Sequence, residues 1–431
     1  MKPSIMRLAH GVWRAFPRGP RRNALAWGAA HLAARPGAPP AISNGVVVAG
    51  DITGENGLAA SARILYEALS AHGLSDQKIP LGLPGVTPAF RGTLTETSAL
   101  LAVVNAPILP AALLRLPRDF LRNRRVIGMW AWELPVIPRS WHAGANFVHE
   151  VWAPSPFTAQ ALEAAAPGRV RVVPYPLAAI PLPVAGTRAD FVLPEQKLVV
   201  LTALNLASSM ARKNPIGAIA AFKSAFGARQ DCLLVLKISG FEAYPHDLSL
   251  IRAAIGNAPN IRLFSATLPE AQLRGLIVCS DIILSLHRAE GFGLIPATAM
   301  LLGRPVVATG WSGNLAFMTG QNSALVGCRL VPATDDRGVY QIPGAVWAEP
   351  DIEDAARHLR RLAEDASARK ALGAAGQADA RRLLGAAPLL AALAENGVQA
   401  HASASPRHAG EGRHPRLPFD NAAIAGIETH G

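Results

Sequence analysis

Apolar residues along this chain fall in short unbroken runs. Each run gives way to a glycine or polar step and then to apolar positions at helical spacing. Val46-Val47-Val48-Ala49 is the first such run and reads as a buried strand. The loop Gly50-Asp51-Ile52-Thr53-Gly54-Glu55-Asn56-Gly57 follows, and then Ile64, Leu65, Ala68 and Leu69 share one helical face that ends at Gly73. Ala99–Val104, Val126–Trp130 and Val148–Trp152 repeat the pattern. Ser155-Pro156 marks a helix start, because the hydroxyl caps free amides and proline sacrifices no bond there. In the second half Leu198–Leu201, Leu233–Lys237, Ile261–Phe264, Ile282–Leu286 and Val306–Ala308 predict further strands, with helices in the gaps. This alternation predicts an α/β chain built from parallel, doubly wound sheets.

At 431 residues the chain exceeds one ordinary core, so two domains are expected. Five prolines between Pro174 and Pro194 mark the boundary. The pattern divides the chain into a basic, loosely ordered arm (1–44, with a short amphipathic pattern at Ile5–Phe16), a first Rossmann-like domain (45–180), a proline-rich linker (181–196) and a second Rossmann-like domain (197–384). A last helix spans 385–400, and 401–431, rich in His, Pro, Gly and Arg, reads as a disordered tail. After Trp347-Ala348-Glu349-Pro350-Asp351 one long Ala-rich helix is expected to about Leu384.

Charge adds a preference for anions. There are 42 Lys and Arg against 30 Asp and Glu, a net +12 and a pI near 10.3. No acidic residue precedes Asp51, whereas Lys2, Arg7, Arg14, Arg18, Arg21, Arg22 and Arg35 do. Arg115, Arg118, Arg122, Arg124 and Arg125 form a second cluster. These fit either a solvated face or an acidic membrane surface. Nucleic acid is not expected as a partner, since no aromatic-interleaved basic strand or recognition helix occurs. No apolar stretch reaches the length of a spanning helix, and arginines interrupt the amino-terminal region where a signal core would lie. Cys232, Cys279 and Cys328 lack metal-ligand spacing and read as buried thiols of a reducing compartment, which sets a zinc site aside.

The most informative segment is Glu290-Gly291-Phe292-Gly293-Leu294-Ile295-Pro296, where a strand meets a carboxylate, two glycines and a helix start. Glycines let backbone amides approach a ligand closely, and the free amides of a helix start suit a diphosphate. Glu290 then offers an acceptor at the rim. Arg212-Lys213-Asn214-Pro215 is the second signal: Asn214 as N-cap and Pro215 as first helical residue set two cations beside another positive helix end. No two aspartates stand at i, i+2, the spacing by which metal-dependent sugar transferases hold a divalent ion, so no metal or other cofactor is expected.

These residues resemble the carboxyl-domain signature of retaining glycosyltransferases of the GT-B fold, family 4 type, in its bacterial polysaccharide-assembly subgroup. The resemblance spans roughly Gly45 to Leu384 and implies two Rossmann-like domains facing across a cleft, with C-terminal helices crossing back. It implies that Glu290 faces the donor sugar and that Arg212 and Lys213 meet the donor phosphates. It places Gly291, Phe292, Gly293 and Leu294 at the donor. In the family a second glutamate holds the ribose; here Thr298 stands in its place with one uncharged hydroxyl, and Ala316 replaces another usual acidic residue. Ser312 and Gly313, in the step Thr309-Gly310-Trp311-Ser312-Gly313-Asn314 that opens a helix, complete the cleft wall, and Lys237 at a strand end points toward it. On the acceptor side Gly57 lies in the first-domain loop, where Ala59 replaces the family's glycine. Trp132 and Glu133 offer stacking and hydrogen bonding to a sugar. Glu150 and Ser155 resemble a family feature near the domain junction, Ser155 also serving as a plain cap.

The expected activity is transfer of a sugar, with retention, from a nucleoside diphosphate to a hydroxyl of a carbohydrate or lipid-linked acceptor, by front-face departure and attack. The expected place is the cytoplasm, peripheral to the inner face of the plasma membrane. Two alternatives stay open: a non-catalytic GT-B relative that binds a nucleotide sugar or partner enzyme, which Thr298, Ala316 and Ala59 favour, and a sugar-nucleotide epimerase.

Overall fold

The computed structural model describes residues 18–75, 77–81, 98–400 and 427–428. The Ile5–Phe16 pattern and nearly all of the 401–431 tail lie outside them. The arm contains a helix, α1 (Arg18–Leu32), which rests on the first domain through Ala29 and Ala33. Beyond it Ser43–Asn44 forms a two-residue strand, β1.

The first domain runs β2 (Val46–Gly50), α2 (Gly57–Ala71), β3 (Gln77–Pro80), β4 (Ala99–Val103), α3 (Leu109–Leu113), β5 (Val126–Met129), β6 (Glu150–Ala153), α4 (Pro156–Leu162) and β7 (Val170–Val172). All six strands of its sheet are parallel, in the order β3-β2-β4-β5-β6-β7. The central strands β2, β4 and β5 are buried at every residue, which is why they read as unbroken apolar runs. The edges β3 and β7 escaped the sequence pattern for the converse reason: β3 buries only Ile79 and β7 buries nothing fully.

The second domain continues with β8 (Leu198–Asn205), α5 (Met210–Lys213), α6 (Pro215–Phe226), β9 (Cys232–Ser239), α7 (Pro245–Ile255), β10 (Ile261–Ser265), α8 (Glu270–Cys279), β11 (Ile282–Ser285), α9 (Leu294–Leu301), β12 (Val306–Thr309) and β13 (Ala324–Val326). Its strands are parallel in the order β13-β12-β11-β8-β9-β10. A separate antiparallel hairpin, β14 (Cys328–Pro332) and β15 (Val346–Pro350), stands outside both sheets and was not anticipated. Of the cysteines only Cys232 is fully buried; Cys279 and Cys328 are half-buried, so the expectation of three core thiols is corrected.

The long helix expected after Asp351 is two, α10 (Ile352–Glu364) and α11 (Ala366–Leu383). Asp365 between them is extended, with φ −111°, and its carboxylate accepts the Ala368 N–H at 2.8 Å. That side chain ends one helix and caps the next. The chain then returns to the first domain through α12 (Ala387–Glu395) and β16 (Val398–Gln399), which pairs in parallel with β1. Asn396 donates to Glu150 and accepts from Arg125 at 3.0 Å, while Arg171 bridges Glu150 and Glu395. In the tail, Ile427–Glu428 (β17) pairs antiparallel with Phe264 and Leu263 at the edge of the second sheet.

One apolar cluster runs through the whole molecule. It joins Ile64 and Leu65 of α2, Phe292, Met300 and Leu301 around α9, and Leu389 and Leu393 of α12. It brings the loops at the carboxyl ends of both sheets face to face, the region where such sheets hold ligands. No helix among the described residues is long and apolar enough to cross a membrane.

Candidate active site

Two second-domain strands that are neighbours in the sheet supply the charged groups. After β8 the chain turns through Ser209, held at φ +71°, whose hydroxyl caps α5 by accepting the Arg212 N–H at 3.2 Å. Asn214 is left-handed (φ +52°) and accepts the Gly217 N–H at 3.1 Å, so it ends α5 and caps α6, with Pro215 at the first helical position. This double turn fixes Arg212 and Lys213 in one place. After β11, His287 and Glu290 descend into the same place, and Arg288 seals the junction. Its backbone N–H donates to the Arg212 carbonyl at 2.7 Å, and its guanidinium grips Glu349 and the Ala211 carbonyl.

Lys213 Nζ donates to Glu290 Oε1, and Arg212 Nη1 lies 3.3 Å from Glu290 Oε2. Arg212 also donates to the Ala289 carbonyl at 2.8 Å and to the Ser208 carbonyl at 3.2 Å. Burial works to raise the Glu290 pKa, yet the charges of Lys213 and then Arg212 outweigh it and bring it down to about 2. Burial lowers the Lys213 pKa, with Glu290 opposing that shift. His287, wholly buried, is lowered by burial too. Asn314 Nδ2 donates to the Thr309 carbonyl at 3.0 Å, which turns its Oδ1 toward His287 Nε2 at 3.1 Å.

The structure revises the sequence reading of several residues. Glu290 is 7% exposed, so it is a sunken, ion-paired carboxylate and not a rim group. Arg212 is 3% exposed and faces two carboxylates, since Glu133 Oε1 of the first domain lies 3.8 Å from its Nη2. Lys213 is the more open of the two cations. Phe292 packs between Tyr175 and Phe317, each ring centroid 5.0 Å away, so only its backbone faces outward chemistry. Trp132 is buried against Trp141 and donates its indole N–H to the Val136 carbonyl at 2.9 Å. It is therefore a wall and not an open stacking face. The step at Ser312 opens only a short turn, Gly313–Ala316, and not a full helix.

Other residues singled out from the sequence gather around the same loops. Ser312 Oγ accepts the Glu290 N–H at 2.9 Å and the Glu290 carbonyl accepts the Gly313 N–H at 2.8 Å, which ties the two loops together. A Cβ on Gly313 would lie 2.1 Å from the Gly291 carbonyl oxygen, so only glycine fits. Gly293 has φ +99° and turns the chain into α9, whose Leu294 opens the helix; Thr298 is half-buried one turn on. Across the gap, the exposed Gly57 starts α2 opposite Leu294, with 3.9 Å from an added Cβ to Leu294 Cδ1. Ser155 donates to the Gly291 carbonyl at 2.6 Å while capping α4 through Thr158 N–H, so the cap also reaches across to the second domain. Glu150, by contrast, lies at the opposite end of the first sheet, with Arg171 and Asn396.

Lys237, near the end of β9, is 5% exposed, and among the described residues its ammonium has neither hydrogen bond nor ion pair. Burial lowers its pKa to about 8, against the opposing charge of Glu55 on the facing loop. Two cations and two carboxylates thus balance around Arg212, while Lys237 faces the charge of Glu55. Among the described residues no three His, Cys, Asp or Glu side chains gather as metal ligands.

Sequence reasoning missed His287, Arg288 and Tyr340. Tyr340 donates to Glu133 Oε2 at 3.1 Å and its ring lies 5.5 Å from the Arg212 guanidinium carbon. It sits in a mostly polar stretch between the exposed strand β14 and the largely buried β15, with no apolar period or glycine pair to draw attention to it.

No protein-family model and no curated protein matches the sequence. Solved structures do share its fold. The Anabaena protein HepE, in complex with UDP and glucose, superposes at a TM-score of 0.56 with 14% identity, covering 82% of this chain and 99% of that one. A glycosyltransferase from Rickettsia africae gives 0.57 at 14% identity, covering 82% and 97%. Sucrose-phosphate synthase from Thermosynechococcus elongatus gives 0.55 at 15%, covering 82% and 98%. The likeness takes in about four-fifths of this chain and nearly all of each neighbour: the chain has the GT-B fold.

Proposed function

We propose that this chain is a nucleotide-sugar glycosyltransferase that moves a sugar from a nucleoside diphosphate to a hydroxyl acceptor, with retention. The observation that carries the reading is the Lys213–Glu290–Arg212 cluster at the mouth of the loop leading into α9, on a fold shared with a structure holding UDP and glucose. The diphosphate would lie over the free amides of α9 and draw on Lys213, releasing Glu290 to accept hydrogen bonds from sugar hydroxyls. Arg212 acts from beneath: it keeps Glu290 ionised and aligned instead of reaching the phosphates itself. As the sugar–phosphate bond breaks, fixed dipoles and Lys213 meet the charge that develops on the leaving oxygen. The first domain brings the acceptor, and closure of the gap keeps water out.

A role in surface polysaccharide or glycolipid assembly belongs to the same proposal. It is supported by the exposed Leu25, Trp27 and Leu32 of α1 beside the basic arm, a combination suited to an acidic membrane face. Release of UDP from UDP-glucose and other uridine sugars, with acceptor added or withheld, tests the activity. Turnover that disappears in Glu290→Gln is the expected result. Binding of UDP with no release from any donor would instead identify the non-catalytic relative, and an isomerised donor the epimerase.

A further inference from the structure

The β14–β15 hairpin sends a strap, residues 333–345, from the second domain to the first. Its base is fixed by Asp335, which is 4% exposed: Oδ1 accepts the Ser209 hydroxyl at 3.0 Å, and Oδ2 accepts the Val339 N–H at 2.9 Å and the Tyr340 N–H at 3.3 Å. Arg337 anchors the same loop to Asp247 and the Leu206 carbonyl. Ser209 is also the cap of α5, so strap, α5 and Arg212 form one unit. At the tip, Tyr340 is clamped between Trp132 of the first domain (centroids 5.6 Å apart) and Trp347 (6.4 Å), with Arg212 over its ring.

The product of this clamp is the state of one carboxylate. Glu133 Oε2 is committed to the Tyr340 hydroxyl. Oε1 stands 3.8 Å from Arg212 Nη2, beyond hydrogen-bond distance, and keeps its lone pairs. With a side chain 21% exposed, Glu133 is also more open than Arg212 at 3%. A guanidinium's width separates it from Glu290, because Arg212 faces both carboxylates. We infer that Glu133 Oε1 is the hydrogen-bond acceptor for the acceptor alcohol's reacting hydroxyl, and that Tyr340 is the positioning residue that holds it ready. Without the tyrosine hydroxyl the carboxylate is free to turn onto Arg212, and a closed ion pair would withdraw Oε1 from the alcohol.

This inference rests on the glycosyl-transfer reading, and the experiment separates the two. The parent, Tyr340→Phe, Glu133→Gln and the double variant are compared in UDP release from UDP-glucose, with glycerol and methyl glucoside as probe alcohols and water as the default one. UDP affinity is measured by calorimetry alongside. Loss of one hydrogen bond to a charged group predicts a rise in probe-alcohol KM of about tenfold in Tyr340→Phe, with UDP affinity and donor KM within about twofold. The double variant should match Glu133→Gln, because Tyr340 acts only through Glu133. Donor and alcohol KM rising together, or kcat falling with both KM values unchanged, would mark Tyr340 as merely structural and overturn the inference. A parent that binds no nucleotide sinks the glycosyl-transfer reading and this one with it. One that binds UDP yet turns over neither probe alcohol nor water counts against transfer itself.

Discussion

At the scale of single residues, the site is a balance of charges whose members cannot be removed singly without consequence. Deleting Glu290 as alanine strands Lys213 and Arg212 in a low-polarity setting, at a cost of about 3 kcal/mol. Glu290→Gln keeps the volume but removes the charge that Lys213 and Arg212 pair with: turnover should fall at least about a hundredfold, and thermal unfolding at neutral pH should come at a lower temperature than in the parent, though by less than in Glu290→Ala. Lys213→Ala should weaken UDP binding, read by calorimetry, and equal affinity in variant and parent would contradict its phosphate role. Acid acts on the same cluster. The Glu290 carboxylate sits at about 2 in the folded chain against an ordinary 4.5, so the unfolded chain takes up its proton first as pH falls. Its stabilisation is complete above 4.5 and disappears as pH drops toward 2. Denaturant titrations between pH 6 and 3 should show that slope in the parent and a shallower one in Glu290→Gln. Glu290, Arg212 and Lys213 were legible because a carboxylate before a glycine turn and a cation pair before Asn-Pro are rare local patterns. His287 and Tyr340 were not, since their importance comes from partners 27 and 207 positions away.

At the scale of elements, the loops are as constrained as the strands. Gly313→Ala would press a methyl into the Gly291 carbonyl and push the Ser312 hydroxyl away from the Glu290 N–H. We expect it to lower UDP affinity by about tenfold or more and to leave the far side of the second sheet unchanged, which hydrogen exchange at β9 and β10 would report. The apolar runs exposed every central strand because parallel strands covered on both faces need continuous hydrophobicity. The edge strands β3, β7 and β13, the hairpin and the break at Asp365 stayed hidden. A half-exposed strand such as β14 has a mixed face, and an aspartate within an Ala-rich helical pattern looks like a surface charge until its carboxylate is seen to accept the Ala368 N–H.

At the scale of the whole molecule, the two domains touch through a few directional contacts over a shared apolar seam. Arg63 of α2 grips Glu270 of α8 through two nitrogens and also donates to the Ile52 and Gly54 carbonyls at 2.9 Å each. The pair is solvent-accessible, so Arg63→Ala should cost less than about 1 kcal/mol of stability. Its effect should appear in geometry: a larger radius of gyration by small-angle X-ray scattering, and a looser loop before α2. A variant with parent scattering would show that the seam alone fixes the domain angle. The plan of two parallel sheets was readable from the repeated strand–helix rhythm. The strap that ties Tyr340 to Glu133 was not, because nothing in a linear pattern reveals which loop spans a gap.

The return of the chain to its starting domain has a temporal side. β1 finds its partner in β16, and Glu150 and Arg125 find theirs at Asn396. During synthesis the amino-terminal half must therefore wait, with that edge unpaired, until nearly four hundred residues have left the ribosome. Nascent chains arrested before α12 should be open to proteases at Ser43–Asn44, and those arrested well beyond Gln399 should resist them.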